Sequence, residues 1–142
     1  MPETPEERAR KEIDQQLTAA GWHVQSVQEL DLTLNRGIAV REFPMKTGHG
    51  FADYLLYLDR KVTGAIEAKP GGTLTGVEAQ SEKYAEGLPD NLPAHRRSLP
   101  FLFEANGSIV QFTNGLDPAP RSRLIFNFPR PESLADSLAR SQ

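Results

Sequence analysis

Along the first twenty residues the apolar side chains Ala9, Ile13, Leu17 and Ala20 return every third or fourth position. That is the period of one helix face. Thr4-Pro5-Glu6-Glu7 supplies the start: a capping hydroxyl, a proline suited to the first helical position, and a carboxylate three residues after the cap. Gly21 supplies the stop. The spacing then changes to that of strands. Residues 22–27 and 38–43 read as short strands, the second ended by Pro44. Residues 46–50 form a glycine-bearing loop, and residues 51–59 and 62–69 read as two long strands joined by a tight turn at Asp59-Arg60-Lys61. The first long strand is apolar on both faces, with Phe51, Leu55 and Tyr57 on one and Tyr54, Leu56 and Leu58 on the other. A strand of that kind is covered on both sides, as in the centre of an α/β sheet.

Pro70-Gly71-Gly72 breaks the second long strand, and residues 75–86 have a helical pattern closed by Gly87 and Pro89. A proline-rich connection over residues 88–100 follows. Residues 99–105 and 108–112 predict a hairpin around Asn106-Gly107, a strong two-residue turn signal. Residues 123–128 predict one more strand, and residues 131–140 a terminal helix carrying Leu134, Ala135 and Leu138. There is no internal repeat. The expectation is an α/β fold, a mixed central sheet flanked by helices, in a single domain over residues 1–142.

Composition narrows the function. With 38% apolar and 25% charged residues, the chain has enough apolar side chains for one core. The absence of cysteine excludes a disulfide framework, a thiolate zinc site and a cysteine nucleophile. No stretch approaches the roughly 20 apolar residues of a membrane span, and the charged N-terminal segment is unlike a signal peptide. A cytoplasmic protein without membrane partners is expected. The net charge of −3 provides no globally basic surface. An anionic partner must therefore be met by a local patch or a metal ion. No G-x4-G-K-[ST] loop occurs, so this chain does not bind ATP by that route.

The informative residues are Asp53 and, fourteen positions on, Glu67-Ala68-Lys69. Alternation sends Glu67 and Lys69 to one side of their strand and Ile66 and Ala68 to the other. Charges at the end of an otherwise apolar strand carry a desolvation cost. For Asp53 to share a face with Glu67, the hairpin needs an odd loop or a bulge, because a two-residue turn at Arg60-Lys61 sets Asp53 opposite Ala68. An odd loop centred near Arg60 or Lys61 is expected. Two converging carboxylates repel, and a divalent cation relieves the repulsion; Mg²⁺ takes oxygen ligands at about 2.1 Å and usually keeps several waters. A nearby lysine adds a charge for a developing oxyanion. The competing reading is a strand edge merely solvated by Glu67 and Lys69.

The wider text resembles a known family. Asp53, Glu67-Ala68-Lys69 and Gln80-x3-Tyr84 resemble the PD-(D/E)xK nuclease superfamily in its variant with a Q-x3-Y motif. The stretches VREFP (40–44), GHGFADYLL (48–56), IEAK (66–69), TGVEAQSEKYA (75–85) and LPFLF (99–103) resemble the N-terminal nuclease domain of the restriction (motor) subunit of type I restriction enzymes. The likeness runs over residues 4–135. It implies a restriction-endonuclease-like core and Mg²⁺-dependent cleavage of double-stranded DNA, with Mn²⁺ able to substitute. By position, Asp53 and Glu67 match the metal-binding carboxylates, the Ala68 carbonyl a further metal ligand, and Lys69 the catalytic lysine. Gln80 and Tyr84 match a pair near the active site and the DNA backbone, although an i, i+4 pair on a helix equally describes a tyrosine packed in the core beside a glutamine. Ala52 stands where the superfamily has proline.

Four further residues are weaker candidates. Glu12 lies beside the first helix's buried stripe, where related nucleases carry a metal-supporting glutamate. Arg41 and Glu42 fall on opposite faces of their strand by alternation, with Phe43 on the Arg41 side. His49 sits in the glycine loop before Asp53. The resemblance further implies a helicase-type motor following in the same full-length chain, so that ATP serves the complete subunit and not this domain. It also implies partner methyltransferase and specificity subunits in a bacterial or archaeal cytoplasm, and it favours a fragment of a longer chain over a free-standing nuclease domain. Two functions compete: a cutting module, and a catalytically inactive nuclease-fold module that binds DNA or partner subunits. The intact Asp53, Glu67 and Lys69 favour the first.

Overall fold

Thr4 caps the first helix as its sequence predicts: its hydroxyl accepts the Glu7 amide at 3.1 Å, and helix α1 runs over Pro5–Ala19. Ala9, Ile13 and Leu17 are its buried stripe, and Gly21 ends it at φ +98°. The computed structural model describes residues 2–69, 83–96 and 99–141. Within them the strands are β1 (His23–Ser26), β2 (Gly37–Pro44), β3 (Phe51–Leu58), β4 (Lys61–Ala68), β5 (Phe101–Ala105), β6 (Val110–Asn114) and β7 (Ser122–Ile125), followed by helix α2 (Pro131–Arg140). The seven form one sheet in chain order. β1 and β2 pair parallel, as do β4 and β5; the other four pairings are antiparallel. This is the expected mixed α/β sheet.

Both faces of the sheet are covered, as the apolar pattern of β3 requires. On one face Tyr54, Leu56 and Leu58 pack with Ile13, Leu17 and Trp22 and with Leu134 and Leu138 of α2. On the other, Ala52, Leu55 and Tyr57 pack with Tyr84, Leu88 and Leu99 from the chain between β4 and β5. Of the expected helix over 75–86, residues 83–86 are helical. Its earlier part, with Gln80, lies outside the described residues.

The β3–β4 hairpin corrects the expected odd loop. The turn has two residues, Asp59 and Arg60, both left-handed at φ +50° and +70°, and Leu58 pairs with Lys61. Left-handed geometry at both central positions matches the twist of the flanking strands. Arg36 clamps this turn, with Nε 3.1 Å and Nη2 2.8 Å from the two Asp59 carboxylate oxygens. Left alone, this register would set Asp53 opposite Ile66. It shifts between Leu56 and Tyr57: Tyr57 pairs with Val62 and Leu56 with Gly64, leaving Thr63 as a bulge. From there Tyr54 pairs with Ile66, so the next rung sets Asp53 across from Glu67. Thr63 is fully buried, and its hydroxyl has no hydrogen-bond partner among the described residues.

Two smaller corrections have similar causes. Asn106 does not lead a two-residue turn. Its side-chain oxygen accepts the Ser108 and Ile109 amides, at 2.9 and 2.8 Å, and the left-handed Gly107 follows it, so β6 starts at Val110. In β2, Glu42 adopts φ +51°, which breaks alternation. Phe43 packs on the Tyr84 face while Arg41 reaches α1, so these two do not share a side.

Gly64 follows the bulge and pairs with Phe101 of β5. A methyl group there would overlap the Phe101 carbonyl, which is backbone and cannot swing away. Gly64→Ala should therefore destabilise the domain by about 1–3 kcal/mol, despite the smaller opposing gain from a stiffer unfolded chain. Urea unfolding measures this, and an unchanged midpoint would show that β4 and β5 have room to part.

Candidate active site

Asp53 lies at the start of β3 and Glu67 near the end of β4, where the bulge brings the two ends together. Asp53 Oδ2 accepts the Ala68 backbone amide at 2.9 Å, and Arg10 Nη2 lies 3.4 Å from Oδ1. Glu67 is only 8% exposed. Its Oε1 accepts two donors, the Tyr84 hydroxyl at 2.7 Å and the Lys83 ammonium at 2.5 Å. Lys83 also donates to the Phe51 carbonyl at 3.0 Å, so one side chain ties the 83–86 helical turn to both strand ends. Burial pushes the Glu67 carboxyl above its ordinary pKa, and the adjacent Asp53 carboxyl adds to that; Lys83 and Tyr84 act in the opposite direction. Burial, and then Glu67, hold the Tyr84 hydroxyl protonated, as a donor.

The other predicted residues are placed as follows. Ala68, Asp53, Arg10 and Glu6 line a cavity of about 110 Å³. Lys69 is half-buried directly after β4, its amide donating to the Ala105 carbonyl at 2.7 Å. Tyr84 is 1% exposed, so it serves the core and Glu67 at once. Glu42 pairs with Arg10, the same guanidinium that faces Asp53. Arg41 pairs instead with Asp14 at 3.1 Å, and Asp14 accepts the Tyr54 hydroxyl at 2.5 Å. His49 packs against Gly87 at the far end of the 83–87 segment. Glu12 does not join the carboxylates. It lies over Gly107 on the flank of α1 that faces the β5–β6 turn, where Gln16 also donates to the Gly107 carbonyl at 2.7 Å. Gln80 lies outside the described residues. Among the described residues no three His, Cys, Asp or Glu side chains converge as a metal-holding group, and no helix is long and apolar enough to cross a membrane.

The family model described as type I restriction enzyme EcoKI endonuclease subunit second domain matches residues 31–117, more than half of the chain and the whole of the β2–β5 core. The chain belongs to that family. A solved structure described as a fragment of an HsdR subunit of a type I restriction enzyme, from Vibrio vulnificus YJ016, superposes with a TM-score of 0.68 at 20% identity. The superposition covers 99% of this chain and 26% of that one, so the chain spans about a quarter of the length of the solved chain. No curated protein matches.

Three polar contacts of this restriction-subunit domain escape a reading by motif: Glu6, Arg10 and Lys83. Glu6 and Arg10 are spaced i, i+4 and flank the buried stripe on one side, while Glu12 and Gln16 flank it on the other. The helical period therefore carried the signal, and placing that flank over Asp53 required the fold. Lys83 precedes the motif tyrosine and carries no signal of its own. A carboxyl whose folded-state pKa is raised adds stability below its unfolded value and withdraws it as pH rises through the folded one. In metal-free buffer Glu67→Gln should therefore raise the unfolding midpoint at pH 8. The gain should vanish at pH 4, below the ordinary glutamate value of 4.5. A midpoint lowered at pH 8 would contradict the burial cost assigned to Glu67.

Proposed function

We propose that this domain is the cutting module of a type I restriction enzyme R subunit, hydrolysing phosphodiester bonds of double-stranded DNA with Mg²⁺ as cofactor. The observation that carries the reading is the convergence of Asp53 and Glu67 at the paired ends of β3 and β4, with Lys69 two residues beyond. The donor set suits the ion. It consists of hard oxygens, two carboxylates and the Ala68 carbonyl, with no thiolate in the chain. Two carboxylates without a third match an ion that keeps several waters and shares a substrate phosphate. When bound, Mg²⁺ lowers the pKa of a water and offsets charge growing on the phosphate.

The chain's own residues do the rest. Tyr84 and Lys83 both hold Glu67 by the same oxygen, Oε1. The Ala68 amide holds Asp53 by Oδ2 and Arg10 holds it by Oδ1. Both carboxylates are thus oriented before substrate arrives, which is where positioning gains its rate. The Lys69 ammonium supplies positive charge for the oxyanion that develops at phosphorus. Methyltransferase and specificity subunits, and a motor in the same full-length chain, are the partners that this role requires. Without a nucleotide-binding loop in this chain, ATP serves that motor alone.

In the complete restriction enzyme, Asp53→Asn and Lys69→Met should each lower DNA cleavage on the order of 10³-fold, with thermal unfolding of the domain nearly unchanged. Gel assay of linearised DNA reads the loss. Cleavage persisting at wild-type rate in either variant defeats the assignment. A wild-type enzyme that neither cuts nor binds Mn²⁺ through Asp53 and Glu67 points instead to an inactive DNA- or subunit-binding module.

A further inference from the structure

Each of the two carboxylates already has a cation from the chain itself. Arg10 faces Asp53 but is shared with Glu42. Lys83 is committed to Glu67: its ammonium lies 2.5 Å from Oε1 and 3.0 Å from the Phe51 carbonyl. Glu67 is buried in the sheet and bears the charge of a neighbouring carboxyl. A buried anion without a partner is costly, and removing a partner leaves that cost uncompensated. Tyr84 supplies a hydrogen bond to the same oxygen but no charge. Lys83 is 31% exposed, so its head can leave for solvent without unpacking the core.

We propose that Lys83 is a built-in counter-ion. It balances Glu67 while no divalent cation is present, and it competes with such a cation for that carboxylate. The proposal rests on the reading of Asp53 and Glu67 as metal ligands. Its physical basis is that a divalent ion drawn to Glu67 approaches a fixed positive charge on the same group, and like charges at close range in a half-buried site repel strongly. The chain therefore folds around an electrically balanced site without metal, and binds the metal less tightly as a result.

The test is Mn²⁺ titration of the 142-residue chain by calorimetry, with thermal unfolding in EDTA and in Mn²⁺. Lys83→Met should bind Mn²⁺ about tenfold more tightly than wild type. It should melt lower than wild type in EDTA and recover more of its stability when Mn²⁺ is added. Tyr84→Phe, which removes a neutral donor from the same oxygen, should not tighten binding. Should Lys83→Met fail to fold, Lys83→Gln keeps a donor without the charge and should shift affinity in the same direction. Affinity unchanged or weakened in the lysine variants, with binding still lost in Glu67→Gln, overturns the counter-ion and leaves the metal-site reading standing. Binding that survives in Glu67→Gln, or is absent from every variant, overturns the metal-site reading and the counter-ion with it.

Discussion

A carboxylate pair shared between two antiparallel strands depends on parity. Side chains alternate, so a shift of one rung exchanges a partner on one face for a partner on the other. The tight Asp59-Arg60 turn, clamped by Arg36, imposes a register that would place Asp53 beside Ile66. The bulge at Thr63 adds one residue to β4 and moves Glu67 onto the Asp53 rung. The buried Thr63 hydroxyl, without a hydrogen-bond partner among the described residues, is the local cost of that insertion. Every other part of the candidate site follows from this shift.

Once the pair forms, its charge has to be balanced inside a mostly apolar sheet. The solution is divided among three elements: α1 contributes Arg10, β4 its own Ala68 amide, and the 83–86 turn contributes Lys83 and Tyr84. Each carboxylate keeps one face toward its neighbour. The flank of α1 continues the same chemistry outward, through Arg10 with Glu42 and Asp14 with Arg41 and Tyr54. Burial and the Asp14 contact keep the Tyr54 hydroxyl protonated, so it acts as a structural donor at the base of the helix.

The positions where alternation failed are local backbone exceptions. Glu42 has a left-handed φ, which turns Phe43 away from the side occupied by Arg41 and lets both charged residues reach α1. Asn106 caps its own turn and delays β6 to Val110. Glu12 stands apart from the carboxylates for a different reason: a helix has two flanks beside its buried stripe, and which one meets the carboxylates depends on how the helix lies across the sheet. In the structure that flank carries Glu6 and Arg10.

The chain alone determined those features that short-range physics controls. These are the capped start of α1, the two-sided burial of β3, the amphipathic α2 and the presence of Asp53, Glu67 and Lys69 on strands expected to be neighbours. Periodicity and turn chemistry act over a few residues, so they can be read from a few residues. Tertiary structure decided the rung on which the carboxylates meet, the cation that each receives and the helix flank that faces them. Those outcomes depend on a single extra residue at Thr63 and on contacts between segments 16 to 43 positions apart. No local pattern encodes them, because the energy that selects them exists only after the sheet and its covering elements have packed.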